Sequence, residues 1–110
     1  MSAALFSLDH ALALGPPRAG NLAMPVFAHG TLGVELYTPV GQDLQTPHEK
    51  DEVYVVARGS GWFFTGDDRV RVAPGDFLFV AARQVHRFED FTEDFAVWVM
   101  FYGPAGGEAG

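Results

Sequence analysis

From residue 24 onward the chain alternates between short apolar runs and turn chemistry. The runs are 24–29 (MPVFAH), 32–38 (LGVELYT), 52–57 (EVYVVA), 61–65 (GWFFT), 69–73 (RVRVA), 77–81 (FLFVA), 85–89 (VHRFE) and 95–102 (FAVWVMFY). Between them lie Gly41-Gln42-Asp43, Gly59-Ser60-Gly61, Gly66-Asp67-Asp68 and Pro74-Gly75-Asp76, whose residues tolerate tight or left-handed turns. Runs of this length, rich in β-branched and aromatic residues and bounded in this way, predict strands. Eight of them at near-regular spacing, with no helix between, predict an all-β antiparallel double-sheet sandwich or barrel. Residues 3–14 predict a short helix, with Leu5, Leu8, Ala11 and Leu12 near helical spacing, or else an extended arm. Gly15-Pro16-Pro17 stops it. The expected organisation is an N-terminal arm (1–23), a β-barrel (24–102) and a flexible Gly/Ala-rich tail (103–110).

Two runs break the alternation of a half-wet strand. Residues 53–56 are Val-Tyr-Val-Val, and 95–102 holds no charged residue. Their outer faces need cover from the second sheet, the N-terminal arm or another subunit. A small open barrel has few other ways to hide its edges, so a homodimer is expected.

Composition narrows the function classes. The 110 residues fit one domain, and ten Phe suggest a core or pocket lined with rings. A net charge of −7 argues against a nucleic-acid partner and against an anionic membrane surface. The absence of cysteine excludes disulfides, zinc ribbons and cysteine nucleophiles and fits a reducing compartment. The apolar start carries no Lys or Arg before Arg18 and is interrupted by Asp9 and His10, unlike a secretory leader. No run approaches the roughly 18 apolar residues of a membrane span. A cytoplasmic location is expected, with a small molecule as ligand. No hydrolase nucleophile motif is present.

His48, Glu52 and His86 carry the candidate chemistry. Pro47 and the β-branched run after Glu52 argue against a helix there, so His48 ends one strand and Glu52 begins the next. The charged Glu49-Lys50-Asp51 makes the bend between them. Two imidazoles and a carboxylate suit a divalent metal ion, Fe, Mn, Ni or Zn, and can fill one face of an octahedron. A hydrogen-bonded cluster without metal is the alternative. Period-two counting places Tyr54 on the face of Glu52 and Phe88 on that of His86. On the last strand, Trp98 and Met100 are preferred for the pocket wall, with Phe95, Val97, Val99 and Phe101 outside. Glu35 is expected on a solvated strand face, with a pocket acid or base as the alternative. Arg83 is expected in a surface salt bridge.

The stretch 41–59 resembles the first motif of the cupin superfamily, G-x5-H-x-H-x3,4-E-x6-G, through His48, Glu52 and Gly59. The stretch 75–90 resembles the second, G-x5-P-x-G-x2-H-x3-N, through Gly75 and His86. Thr46 stands where the first histidine would be, Gly41 is one residue late, and Ala81, Arg83 and Asp90 replace the Pro, Gly and Asn. The resemblance implies a jelly-roll barrel with a metal on His48, Glu52 and His86. Gln45, His29 or water is left for the fourth contact that Thr46 does not supply. It also implies a metal-dependent small-molecule protein, either an enzyme of dioxygenase, isomerase or decarboxylase type or a non-catalytic module that binds or senses a ligand such as a sugar.

Overall fold

The computed structural model describes residues 3–14, 23–43 and 45–109. Among the described residues one helix, α1 (Leu8–Leu12), precedes eight strands: β1 (Ala23–His29), β2 (Leu32–Tyr37), β3 (Asp51–Arg58), β4 (Gly61–Phe64), β5 (Arg69–Val72), β6 (Phe77–Val80), β7 (Arg87–Glu89) and β8 (Ala96–Tyr102). Each predicted strand is present within a residue or two of its expected bounds.

The strands form two antiparallel sheets, one in the order β1-β2-β8-β3-β6 and one in the order β5-β4-β7. The expected double-sheet jelly roll is present, but no ladder joins the sheets among the described residues, so it does not close into a barrel. β1 and β6 are the edges of the larger sheet. Pro25, which has no N–H to donate, lies in the edge strand β1 beside a register shift at Pro25/Phe27, where proline is tolerated.

The core lies between the sheets. Tyr54, Val56, Val97 and Val99 of the larger sheet meet Phe63, Val72 and Phe88 of the smaller one in a single cluster that also holds Phe95. The ring of Phe88 makes edge contacts with Tyr54 and Phe95 at centroid distances of 5.0 Å, an arrangement that adds to area burial. A second, smaller cluster lies on the outer face, where α1 sets Ala11 against Leu36 and Ala96, flanked by Val26, Ala57 and Trp98. That is the cover the doubly apolar strand β8 requires.

The face assignment of β8 is the reverse of the one expected. Tyr54 lies opposite Val99, and Glu52 opposite Phe101, and directly opposed residues share a face. Val97, Val99 and Phe101 therefore point inward. Trp98, opposite Val55, and Met100, opposite Val53, point outward. The interior already holds Tyr54, Phe63, Phe88 and Phe95, and small β-branched side chains fill what is left between them.

The tail is also held, where a loose one was expected. Gly103 N–H donates to Thr31 Oγ1 (3.1 Å), Gly106 N–H to the Glu49 carbonyl (2.6 Å) and Glu108 N–H to Asp51 Oδ2 (2.8 Å). The other oxygen of the buried Asp51 accepts from Ala82 N–H at 2.9 Å. One carboxylate thus clamps the tail and the β6–β7 loop to the start of β3.

Gly59, the closing glycine of the first motif, turns β3 into β4 at φ +75°, and a Cβ there would lie 2.8 Å from Phe95 Cα and against the Thr92 hydroxyl. Left-handed strain and overpacking both oppose a side chain. Gly59→Ala is expected to lower unfolding stability by about 2 kcal/mol or more in urea denaturation. A loss below about 0.5 kcal/mol, the scatter of ordinary surface changes, would contradict this account of the turn.

Candidate metal centre and adjoining cleft

Glu52 enters the interior because β3 alternates faithfully. Glu52, Tyr54 and Val56 are buried on the inner face, while Val53 and Val55 are only partly buried on the outer one. His86 is placed by the turn before β7, where its Nδ1 lies 2.8 Å from the Gln84 carbonyl. A carbonyl only accepts, so Nδ1 carries a proton and Nε2 is turned toward Glu52. His48 lies on the loop between β2 and β3, held edge-on against Phe101 with ring centroids 4.7 Å apart.

These three residues come together. The ligand atoms of His48, Glu52 and His86 all lie within 4.8 Å of one another. His86 Nε2 is 2.8 Å from Glu52 Oε1, with both side chains 1% exposed. Glu52 Oε2 is buried without a hydrogen-bond partner among the described residues. Buried carboxylate oxygens normally have partners, so an orphaned oxygen on a carboxylate grouped with two imidazoles fits a divalent cation. Burial opposes the charged form of His86. The hydrogen bonds to Glu52 and to the Gln84 carbonyl, together with the Glu52 and Asp43 charges, more than offset this and raise its pKa above the ordinary imidazole value.

A hydrogen-bonded chain backs the group. The Tyr54 hydroxyl lies 3.0 Å from His86 Nε2 and donates to Gln45 Oε1 at 2.8 Å. Gln45 Nε2 donates to Asp43 Oδ2 at 2.8 Å, as does the Phe88 N–H. Asp43 Oδ1 accepts from the Tyr37 hydroxyl and from Gln45 N–H. Burial, then the Glu52 and Asp43 carboxylates, push the Tyr54 phenol far above its ordinary range, so it stays protonated. Asp43 was not singled out from the sequence, although its place in the Gly41-Gln42-Asp43 turn ahead of a histidine was visible.

A cleft of about 590 Å³ adjoins the group on the inner face of β1, β2 and β8. Its walls include Ala28, Leu32, Gly33, Val99 and Phe101, with Glu35, Tyr37, Gln45 and His48 as polar groups and Lys50 at the loop side. None of the four expected pocket residues lines it. Tyr54 and Phe88 are deeper in the core, and Trp98 and Met100 face outward for the register reason given above. Glu35 belongs to this wall, because it shares the inner face with its partner Val99. His29 ends β1 in an exposed position, and Thr46 is exposed. Gln45 is engaged by Asp43 and Tyr54. Arg83 pairs with Glu49 at 2.8 Å on the surface.

Two facing antiparallel sheets with a His–Glu–His group, buried at Glu52 and His86 and half-buried at His48, beside a cleft define a jelly-roll protein of the kind that can hold a metal near a small-molecule site. The match to the cupin domain family covers residues 33–102, and the chain belongs to that family. An uncharacterized protein of Streptomyces coelicolor is 39% identical over 62 residues, which are 56% of this chain and 59% of that protein. The fold is shared with a cupin-2 domain protein from Shewanella frigidimarina (TM-score 0.69, 12% identity, covering 90% of this chain and 95% of that one). It is also shared with an RmlC-like cupin from Desulfovibrio desulfuricans (TM-score 0.67, 21% identity, covering 96% and 100%). No helix among the described residues is long and apolar enough to cross a membrane.

The raised His86 pKa sets a pH dependence. The protonated pair with Glu52 adds stability that is complete below about pH 6.5, the unfolded value, and is lost as pH rises through the higher folded value. With chelator present, the urea midpoint is expected to fall as pH is raised from 6.5, and Glu52→Gln is expected to flatten that fall. An equal fall in the variant would show that the pair is not its source.

Proposed function

We propose that this chain is a metal-dependent small-molecule protein in which His48, Glu52 and His86 hold one divalent ion, Fe, Mn, Ni or Zn, and the adjoining cleft holds the ligand. The observation that carries this is the Glu52 carboxylate, which has one buried oxygen without a partner among the described residues and a ligand atom within 4.8 Å of those of two imidazoles, one of which also lines the cleft. Two imidazoles and one carboxylate leave coordination positions open, where an ion acts as a Lewis acid or oxygen activator. His48 lines both the group and the cleft, so an ion held there would stand beside it, and Val99 and Phe101 are part of the cleft's apolar wall. The reading covers an enzyme of dioxygenase, isomerase or decarboxylase type, with a module that only binds or senses a sugar or other ligand as the alternative. Turnover with iron restored separates the two. Metal analysis of untagged protein is expected to find about one ion per chain, lost in His48→Ala and in His86→Ala. Equal, near-zero content in all three would sink the reading.

The outer flank of the larger sheet supports a homodimer. Phe77 and Phe79 on the edge strand β6 are 66% and 54% exposed, and they lie opposite Val55 and Val53. α1 covers the other half of this face but not this flank. An edge strand with unpaired backbone groups and two exposed rings is self-complementary about a two-fold axis. Light scattering at micromolar concentration is expected to give the dimer mass, and the double variant Phe77→Asp, Phe79→Asp the monomer mass. Monomeric wild-type protein would refute the dimer.

A further inference from the structure

We infer that Asp43, acting through Gln45, fixes the Tyr54 hydroxyl as a hydrogen-bond acceptor facing the His48–Glu52–His86 group, so that the site favours a ligand bearing an O–H or N–H over one that presents only lone pairs. The ligand class rests on the metal reading above; the direction of the hydroxyl does not.

The direction follows from what each group can do. A carboxylate only accepts, at about four positions. The buried Asp43 has donors at all four: the Tyr37 hydroxyl and Gln45 N–H on Oδ1, and Gln45 Nε2 and Phe88 N–H on Oδ2. The NH₂ end of the Gln45 amide is therefore held on Asp43, and its oxygen is turned to Tyr54, 2.8 Å away. An amide oxygen also only accepts, so Tyr54 must supply the proton. A phenol has one proton. With that proton committed to Gln45, the side of Tyr54 Oη facing His86 Nε2 at 3.0 Å offers a lone pair alone.

In the metal-free chain the single His86 Nε2 proton lies between Glu52 Oε1 at 2.8 Å and this lone pair at 3.0 Å. When Nε2 turns to an ion, Tyr54 loses that donor, and a buried acceptor left bare is costly. A group at an open coordination position that brings its own O–H or N–H restores the bond. A carboxylate, which presents only lone pairs, does not. The preference is worth about tenfold, one ordinary hydrogen bond. Tyr54 and Gln45 are positioning residues in this account, since neither ligates the ion.

Two measurements test it. In metal-free wild-type protein, the Tyr54 hydroxyl proton is expected to show proton NMR cross-peaks to the Gln45 Hγ protons and none to His86 Hε1. In cobalt(II)-loaded protein, visible absorbance against pH reports the ionisation of the water at an open position. Water is a stronger O–H donor than the hydroxide it becomes, so an acceptor favours the protonated form. The midpoint is therefore expected to fall in Tyr54→Phe, by up to about one pH unit, a tenfold change. In Gln45→Met, where the freed hydroxyl can turn and donate, it is expected to fall at least as far. Cobalt stoichiometry stays unchanged in both variants. Cross-peaks to His86, or a Tyr54→Phe midpoint that stays or rises, would overturn the inference. Wild-type protein that takes up no cobalt overturns the metal reading and the ligand class with it, while the NMR result still decides the direction of the hydroxyl.

Discussion

Glu52 and Phe101 lie opposite each other across the β3–β8 ladder, and this one register orders most of the molecule. It carries Tyr54 to Val99 and Val56 to Val97, so three inward positions of β3 face the interior together with their partners. A slip of one residue would exchange the two faces of the strand. Glu52 and Tyr54 would then leave the interior, and Val53 and Val55 would replace them. The register is held because the cost of such a slip falls on both strands at once. Trp98 would leave its place beneath α1 and enter an interior already filled by four aromatic rings.

The same register forces polar groups into a dry interior, and each is satisfied in a different way. Asp43 is saturated by four donors drawn from β2, its own loop and β7, which binds the loop to both sheets. Glu52 is satisfied on one oxygen only, by His86. Buried polar networks with an unsatisfied member are ordinarily worse than an apolar core, so the contrast between the two carboxylates separates scaffold from site. Asp43 holds the scaffold in place, and Glu52 retains one bare oxygen where an ion fits.

Much of this was legible in the sequence. The eight strands follow from period-two runs and turn residues, and the His48, Glu52 and His86 positions follow from ligand chemistry and spacing. The interior face of β8 did not, because both of its faces are apolar and period two then offers no sign of which is inside. Only pairing with β3, whose Glu52 and Tyr54 mark the inner face, decides it. Glu35 was misplaced for a related reason, since its face is defined by Val99 across the ladder and not by Val34 and Leu36 beside it. The role of Asp43 depends on donors 6 and 45 residues away in sequence, which no local pattern carries.

The departures from the two motifs sort by the kind of demand each position makes. Where the second motif has Gly and Asn, Arg83 and Asp90 adopt φ values of +67° and +47°, so the left-handed backbone is retained without the residue best suited to it. That demand is conformational, at a cost of order 1–3 kcal/mol per residue, and surface ion pairs to Glu49 and Arg69 hold the two strained residues in place. Thr46 is different in kind. Its position calls for an imidazole nitrogen, and its exposed hydroxyl side chain offers nothing comparable. Backbone strain can be absorbed by neighbours, but a missing ligand cannot, so the change falls on the chemistry. The group keeps three residues that could hold an ion, with the Tyr54 hydroxyl and the Gln45 amide, both neutral, beside it.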